Sequence, residues 1–355
     1  MVFVLAERVL SVRELNRALL ARQLLLKRSS FPVTKALERI GGLQSQYAPS
    51  AYIGLWSRLH GFQKEHLTRA LEQRRAIQGT LMRTTIHTVS AADYPLLAAG
   101  IRRGRQAWWR RVTRQKLGTV EMEAAARLVT RELRSGPIRA ADFKPLIERL
   151  GLPEAVLSGI GLWVDLVRVP PSGTWERRRA DLYALAETWV GKSKATEAQG
   201  LELLVRRYLG GFGPAPVAAI ADWAGLAITT INETVPKLGL RRFRDTQGKV
   251  LFDIPGASLP RADSPAPVRF LPTWDATLLV HARRTLILPE AYRPQVFNTR
   301  TPQSVPTFLV DGQVAGTWRY EKGRVQLQPF HDLSRRTLQE LEAEGAALAA
   351  MHAAG

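Results

Sequence analysis

The sequence predicts an α+β protein: three helical units, each closed by a short β-hairpin, followed by a strand-rich region. Apolar residues recur at helical spacing through most of the chain before residue 240. Pairs of short β-favouring runs follow the helices at 76–90, 161–179 and 240–254. After residue 267 such runs dominate until a closing helix. A helix, a helix–turn–helix and a hairpin make a winged helix, so we expect three of these units in tandem.

The first predicted unit covers residues 1–91. Ser11 with Glu14 three positions later is a capping-box pattern, and it places a helix start within the apolar-periodic stretch 9–27. The other elements of this unit are predicted as helices at 33–41, 51–59 and 64–73 and strands at 76–82 and 84–90.

The second predicted unit covers 92–193 and the third covers 194–256. In the third, the Asp-Thr-Gln-Gly segment at 245–248 between two β-favouring runs is a hairpin signal, which makes this unit the clearest. The elements of the second unit are predicted as helices at 92–111, 119–134 and 139–150 and strands at 161–169 and 174–179. Those of the third are predicted as a helix at 196–209, a break at 210–214, helices at 216–224 and 228–238, and strands at 240–244 and 249–254.

The last predicted region, 257–355, begins with a linker, because four prolines and few large apolar residues lie between 255 and 267. A closing helix is predicted at 334–352. Short strands at close intervals are typical of a small β-barrel. They are predicted at 268–271, 277–280, 284–288, 306–310, 313–319 and 324–328.

Charge separates this chain from an ordinary globular protein. It has 51 basic and 31 acidic residues, a formal net charge of +20 and a pI near 11.0. Such a surplus indicates a polyanionic partner, either nucleic acid or an anionic membrane surface. Most of the basic residues are Arg, whose planar fork suits phosphate and guanine, although a GC-rich genome produces the same bias.

Residue types also exclude several chemistries. The chain has no cysteine, which excludes disulfides, zinc fingers, thiolate nucleophiles and iron–sulfur clusters. Its six His show no metal-ligand spacing, so we expect neither a metal nor a cofactor. No run of 18 apolar residues occurs, and the apolar run at the start is too short for a signal peptide. The expected location is the cytoplasm.

The polar pattern with the most specific chemistry is Gln44, Ser45 and Gln46. In an extended segment, side chains two residues apart project to the same side, so the two amides could share one water. Gln is neither an acid nor a base, so such a site would need a substrate already primed to react. The alternative, a solvated loop or helix cap between two helices, is the commoner role of a Gln-x-Gln.

Four further segments accompany this pattern in a fixed order: 54–58 (Gly-Leu-Trp-Ser-Arg), 80–87 (Thr-Leu-Met-Arg-Thr-Thr-Ile-His), 269–279 and 306–318. Together they resemble the AlkZ-like winged-helix DNA glycosylases, a bacterial family that includes the YcaQ branch. The family signature is Gln-x-Gln in the AlkZ-like branch and Gln-x-Asp in the YcaQ branch. Gln46 occupies the second position here, so the resemblance is to the AlkZ-like branch.

The resemblance implies a fold and an activity. The implied fold is three tandem winged helices and a C-terminal β-barrel around a C-shaped, basic DNA-binding surface. The implied enzyme is a monomeric, monofunctional glycosylase that acts on double-stranded DNA carrying bulky N7-alkylguanine adducts or interstrand crosslinks. Gln44 and Gln46 would be its catalytic residues. Some family members protect antibiotic producers from their own DNA-alkylating products.

DNA contacts are expected at residues near the motif and on a basic stretch. Residues 102–116 hold seven basic residues and no acidic one, a pattern that also fits a solvated face or a membrane-surface helix. His87 could instead be a hydrogen-bonded structural residue, Tyr47 and Ser50 could pack or cap a helix, and Asp275 after Trp274 could form a turn. The predicted DNA-binding set is Tyr47, Ser50, Arg83, Thr84, Thr85, His87, Arg102, Arg103, Arg105, Arg110, Arg111, Trp274 and Arg319.

Two other classes of protein remain open from the sequence. One is a winged-helix transcriptional regulator without catalysis, although such regulators are usually shorter and dimeric. The other is a basic structural or membrane-surface protein. Release of a modified base would separate the enzyme from the regulator, and salt-dependent binding to duplex DNA would separate both from the third.

Overall fold

A computed structural model describes residues 7–113, 117–279, 285–297 and 304–354 of the chain. Its mixed helix and strand content confirms the α+β prediction. The N-terminal elements are β1 (Val9–Leu10), α1 (Val12–Arg22), α2 (Val33–Ile40), β2 (Leu43–Gln44), α3 (Ala48–Arg58), α4 (Lys64–Glu72), β3 (Ala76–Thr80) and β4 (Ile86–Ser90). The Ser11 capping box is present: its hydroxyl accepts from the Glu14 backbone N–H, and the Glu14 carboxylate accepts from the Ser11 backbone N–H.

The next elements are α5 (Tyr94–Val112), α6 (Thr119–Leu133), β5 (Ile138–Arg139), α7 (Phe143–Arg149), α8 (Ile160–Trp163), β6 (Leu166–Arg168), β7 (Leu182–Leu185) and α9 (Ala186–Trp189). Two predictions in this region are wrong. Residues 160–163 are helical rather than extended, and the strand expected at 174–179 lies at 182–185 instead. Pro170 and Pro171 follow β6, and since proline has no N–H to donate to a ladder, the chain leaves the sheet there.

The third region holds α10 (Glu197–Phe212), α11 (Val217–Ala224), α12 (Ile228–Thr234), β8 (Arg241–Asp245) and β9 (Val250–Asp253). The predicted hairpin is confirmed, and the Asp245 carboxylate accepts from the backbone N–H groups of Gln247 and Lys249 in its turn. The break predicted at 210–214 begins two to three residues later than expected, because α10 continues through Gly210 and Gly211 to Phe212 and ends at the cap residue Gly213.

The strands join across the predicted units. One six-stranded sheet has the order β2-β4-β3-β6-β7-β5, so the hairpins of the first two regions form a single sheet rather than two separate wings. The link is the pair Gly79 and Val167. In the third region β1 adds to β8 in parallel, with Val9 opposite Arg244. Strands from different predicted units therefore share sheets.

Helices pack closely between the second and third regions. The axes of α5 and α10 approach at Gly100 and Gly200, where a Cβ on Gly200 would lie 2.4 Å from the Gly100 backbone nitrogen. A larger residue at either position would force the helices apart. None of the described helices is both long and apolar enough to cross a bilayer.

The C-terminal region consists of β10 (Arg269–Leu271), α13 (Ala276–Leu279), α14 (Arg293–Val296), β11 (Thr307–Val310), β12 (Gln313–Glu321), β13 (Arg324–Pro329) and α15 (Arg335–Ala353). Its strands form an open antiparallel sheet in the order β10-β11-β12-β13, and the described residues contain no closed barrel. The closing helix is confirmed.

Two of the strands predicted for the barrel are not strands. Residues 276–279 are helical, and 285–288 lie outside any strand; positions 280–284 are outside the described residues. The Asp275 carboxylate accepts from the backbone N–H and the hydroxyl of Thr277, which starts a helical turn. This local hydrogen bonding overrides the β-favouring composition of the run.

Two fully buried ion pairs hold the N-terminal helices against later parts of the chain. Arg22 on α1 makes bidentate hydrogen bonds to Asp253 at 2.6 and 2.8 Å, and Arg58 on α3 does so to Asp275 at 3.0 Å each. Each guanidinium also donates to a backbone carbonyl, so both charges are well compensated.

Candidate active site

Gln44 ends strand β2, and Gln46 lies two residues later, just before α3. Gln44 is buried, whereas Gln46 is exposed. Gln44 is the ladder partner of His87 on β4, so these two side chains leave the sheet on the same face. Ser45, between Gln44 and Gln46, is held in place by two contacts. Its backbone N–H donates to the Ile86 carbonyl, and its hydroxyl lies 2.6 Å from the Thr88 hydroxyl.

The orientation of both amides is determined by their partners. Arg83 Nη2 lies 2.8 Å from Gln44 Oε1, and the Ile86 backbone N–H donates to Gln46 Oε1 at 2.8 Å. A guanidinium and a backbone N–H can only donate, so each Gln must present its carbonyl oxygen to the partner. Both donors come from the segment between β3 and β4. The two amides therefore meet one short loop, each with its N–H₂ group directed away from that contact.

That loop is longer than the single-residue gap that the sequence placed between strands at 76–82 and 84–90. Residues 82–84 form a single 3₁₀ turn, with Arg83 and Thr84 in the left-handed region at φ +53° and +58°. Alternation of side chains therefore does not hold here. The Arg83 backbone packs on Gly225, where a Cβ would lie 2.9 Å from the Arg83 Cα, so only glycine allows this approach.

Arg83 is tied into the protein without an acidic partner. Its Nη1 donates to the Trp223 carbonyl at 2.6 Å while Nη2 contacts Gln44, and no carboxylate of the described residues forms an ion pair with it. Burial lowers the pKa of Arg83 to about 10, so it stays cationic at neutral pH. A fixed positive charge thus lies directly behind the first amide of the motif.

His87 is buried at 3% exposure beside this charge. Its Nδ1 lies 3.1 Å from the Thr85 carbonyl oxygen, an acceptor, so Nδ1 carries the proton of the neutral ring. Burial, and next the nearby Arg83 cation, lower the pKa of His87 to about 3. His87 is therefore an uncharged structural ring at physiological pH rather than a proton donor or a phosphate contact.

The stability of the protein at acidic pH should depend on the buried His87 ring. The folded-state pKa of His87 lies far below the ordinary 6.5, so its contribution is complete above about pH 6.5 and declines as pH falls toward 3. We expect the free energy of unfolding to fall between pH 6.5 and 4.5, with a slope from His87 of about 1.4 kcal/mol per pH unit. His87→Asn keeps the donor to Thr85 but cannot titrate, so it should flatten the slope measured by urea unfolding. Equal slopes for the wild-type protein and His87→Asn would contradict the assignment.

A family model for AlkZ-like DNA glycosylases matches residues 37–351, which include the Gln pair, its loop and the C-terminal sheet. The chain belongs to the AlkZ-like DNA glycosylase family. The fold is similar to that of the DNA glycosylase AlkZ from Streptomyces sahachiroi, with a TM-score of 0.81 over 97% of each chain at 18% sequence identity. No curated protein sequence matches the chain. Family membership confirms the resemblance and favours an enzyme over the non-catalytic regulator.

Around this loop, the structure gives the other predicted residues of the glycosylase different environments. The Thr84 and Thr85 hydroxyls contact backbone carbonyls of their own turn, at 2.6 and 3.0 Å. Tyr47 is 41% exposed, and its hydroxyl accepts from Arg178 at 3.0 Å. Ser50 is buried on α3. Of these four, Tyr47 is the side chain most open to a substrate.

The basic stretch lies on α5 and divides into two sets. Arg105 is buried and pairs with Asp165, so it is not available to phosphate as the sequence suggested. Arg102 pairs with the same carboxylate at 2.5 Å. Arg103, Arg110 and Arg111 point to solvent, although Arg103 lies 3.2 Å from Glu197. Residues 114–116 of the stretch lie outside the described residues.

The two tryptophans of this stretch also differ. Trp109 is buried and packs edge-on against Trp163 at 5.1 Å. Trp108 is 40% exposed and lines a small cavity of about 150 Å³ together with Arg83 and Thr84. An exposed aromatic ring among exposed arginines is suited to stacking on a base. Sequence analysis did not separate these two neighbours, because only the helix rotation decides which one faces solvent.

The residues singled out in the C-terminal region have different surroundings. Arg319 on β12 is exposed and contacts Glu321 and Gln326. Trp274 is half-buried at φ +62°, and its backbone N–H donates to the Ser304 hydroxyl at 2.9 Å. Asp275 serves the buried ion pair with Arg58 described above, in addition to its turn.

Sequence analysis missed two arginines of the second region that reach the motif. Arg168 Nη1 donates to the Ser45 carbonyl at 3.2 Å, and Arg178 contacts Tyr47. Neither stands in a recognisable pattern, and both lie more than a hundred residues from their partners. No sequence signal could have found these contacts, because they depend on how β6 joins the first sheet.

Proposed function

We propose that this glycosylase hydrolyses the N-glycosidic bond of cationic, bulky N7-alkylguanine adducts or interstrand crosslinks in duplex DNA. The observation that supports this most is the kind of group that hydrogen-bonds to each Gln side chain. Gln44 and Gln46 are paired with a guanidinium and a backbone amide, and among the described residues no carboxylate hydrogen-bonds to either Gln. A site without an acid to protonate the leaving base suits a base that is already positively charged.

The proposed reaction needs a placed water and little else. As the C1′–N9 bond breaks, its electron pair neutralises the cationic guanine, and the water oxygen bonds to C1′ while a proton passes to solvent. Each Gln carbonyl uses one lone pair on its loop partner and retains a second, and each N–H₂ can donate. A water between the two amides can therefore accept from one and donate to the other. The carbonyl dipoles would also favour positive charge developing on the sugar.

Arg83 is proposed as a positioning residue, because it fixes the rotamer and the orientation of the Gln44 amide. Arg83→Lys keeps the charge but cannot reach Gln44 and the Trp223 carbonyl with two branches at once. We expect single-turnover excision to slow by about 10- to 100-fold, the usual effect of one charge-assisted hydrogen bond. The double variant with Gln44→Ala should be no slower than Gln44→Ala alone.

The control for this variant is DNA affinity together with the thermal midpoint, neither of which should change strongly. Multiplicative effects of the two substitutions would contradict a role for Arg83 through Gln44.

The direct test of the proposed function is release of the modified base. Duplexes with defined N7-guanine adducts, incubated with the protein in EDTA, should accumulate abasic sites. No strand cleavage is expected, since no lysine stands in the Gln motif to form a Schiff base. Unmodified duplexes should remain intact. Failure to release any N7-alkylated guanine would overturn the substrate class, and loss of activity in EDTA would overturn the metal-free mechanism.

DNA binding should depend steeply on salt. The formal charge of +20 and the exposed Arg103, Arg110 and Arg111 predict many phosphate contacts. The logarithm of affinity should fall with the logarithm of salt by about 0.9 per phosphate contacted. Charge reversal at Arg110 and Arg111 should reduce the slope, whereas the same change at Arg261, which already pairs with Asp263, should reduce it less. Affinity that does not vary between roughly 50 and 200 mM salt would contradict the proposal.

The biological setting is part of the same proposal. A basic, metal-free enzyme for cationic lesions fits a monomer acting on bacterial cytoplasmic DNA. Protection of a producer from its own DNA-alkylating product is one role that such chemistry would serve.

A further inference from the structure

A cavity of about 340 Å³ opens beside Tyr47, the residue that follows the Gln motif. Its walls come from the start of α3, from the loop after β6, from β12 and from the end of α15. This volume lies in the range of cavities that hold small organic ligands. The described residues thus place a ligand-sized space beside the residue that directly follows the proposed catalytic pair.

Five aromatic rings line part of the cavity: Tyr47, Trp175, Trp318, Tyr320 and His352. Trp175 and Trp318 are largely buried, and both contact the His352 ring, edge-on at 5.0 and 6.2 Å. Tyr320 stacks on His352 at 4.2 Å with an interplanar angle of 20°. Burial, and next the cations Arg178 and Lys64, lower the pKa of His352 to about 4, so it is a neutral ring at physiological pH. Four rings in edge and stacked contacts form a surface on which a further flat ring can pack.

Two buried polar atoms in this cavity, Ser50 Oγ and His352 Nε2, have no hydrogen-bond partner among the described residues. Ser50 is 2% exposed and lines the space, and its hydroxyl makes no hydrogen bond to any described residue. An unsatisfied buried hydroxyl is costly, so its retention is explained if a ligand supplies the partner. This observation is independent of the aromatic lining.

The charge around the cavity limits what it can hold. Lys64 Nζ is buried over the Trp175 ring at 4.9 Å, and the Arg178 guanidinium lies 5.5 Å from the same ring. Glu176 is the acidic residue paired with Lys64, and only at 3.9 Å, whereas Arg319 at the rim is paired with Glu321. A cationic alkylated base would be repelled here, while an uncharged aromatic ring would not.

We propose that this cavity binds the uncharged aromatic portion of a bulky N7-guanine adduct while the Gln pair acts on the sugar of the same nucleotide. The inference rests on the proposed function. It adds a determinant of lesion preference: rings would be favoured over simple alkyl groups, and a polar substituent on the ring would reach Ser50.

Two variants and one matched control test this inference. Tyr320→Ala removes a ring that is more than a third exposed, and Ser50→Met fills the space from α3. The control is Tyr292→Ala, which removes a tyrosine that likewise stacks on a histidine, His331, but lies outside the cavity. Single-turnover excision is measured for duplexes carrying N7-benzylguanine or N7-methylguanine. The readout is the ratio of the two rates, because damage shared by both substrates cancels.

We expect the benzyl-to-methyl ratio to fall roughly tenfold in Tyr320→Ala, the usual effect of losing one aromatic stacking partner for a nucleic-acid base. The ratio should also fall in Ser50→Met, because the larger side chain occupies the space that the ring would take. The ratio should stay at its wild-type value in Tyr292→Ala. An unchanged ratio in both cavity variants would overturn the cavity proposal and leave the proposed function intact.

Wild-type protein that releases neither base would instead overturn the proposed function. Equilibrium binding then decides the cavity proposal. A preference for the N7-benzylguanine duplex over the N7-methylguanine duplex that is lost in Tyr320→Ala supports the cavity, and equal affinity of the wild-type protein for the two duplexes rejects it.

Discussion

Gln44→Ala and Gln46→Ala are each expected to slow base excision by at least about a hundredfold, the effect of removing one preorganised polar group from a transition state. Each substitution deletes an amide that is oriented by a donor from the loop between β3 and β4. Because the two amides are proposed to hold one water together, the double variant should be hardly slower than either single variant. Single-turnover rates on an N7-alkylguanine duplex measure this directly.

The controls separate chemistry from binding. DNA affinity should barely change in these variants, since a neutral amide contributes little beside many phosphate contacts. Gln73→Ala removes an exposed amide at the end of α4 and should leave the excision rate unchanged. Wild-type excision rates in both motif variants would make residues 44–46 an ordinary loop and remove the catalytic assignment.

Acidic replacements at Gln46 refine the same test. Gln46→Glu preserves the length needed to reach the Ile86 N–H, whereas Gln46→Asp is one methylene shorter. The structure therefore favours retained activity in the Glu variant, with the Asp variant keeping some activity because a carboxylate can still orient water. A carboxylate would also stabilise positive charge on the sugar.

Asp275→Ala is expected to cause a large loss of stability. It leaves the Arg58 guanidinium buried without its counter-ion and removes the acceptor for Thr277. Breaking a buried pair in this way costs about 3–5 kcal/mol in the free energy of unfolding. Urea unfolding followed by circular dichroism measures the change.

The matched control is Asp263→Ala, whose pair with Arg261 is almost fully in solvent and should contribute less than about 1 kcal/mol. Replacing both partners, with Arg58→Met and Asp275→Leu, should recover part of the loss, because no charge then remains buried. If Asp275→Ala destabilises the protein no more than Asp263→Ala does, other groups must compensate the buried charge of Arg58.

Local signals in the sequence determined much of the secondary structure. The Ser11 capping box, the Asp245 turn and the closing helix were predictable because their hydrogen bonds or apolar periodicity span only a few residues. The Gln pair could be singled out for the same reason: its chemistry depends on two residue types at a spacing of two. The charge of the chain, a sum over residues, likewise indicated a polyanionic partner without any knowledge of the fold.

Only the tertiary structure decided what surrounds those residues. Arg83 contacts Gln44 across 39 positions and Arg58 contacts Asp275 across 217, and no local pattern specifies such partners. The same holds for the union of two predicted hairpins into one sheet through Gly79 and Val167. Whether Arg105 is buried or free depends on the Asp165 carboxylate that α5 meets after folding. Contacts of this kind are set by the packing of distant elements, whose hydrogen-bond and charge partners become neighbours only once the chain has folded.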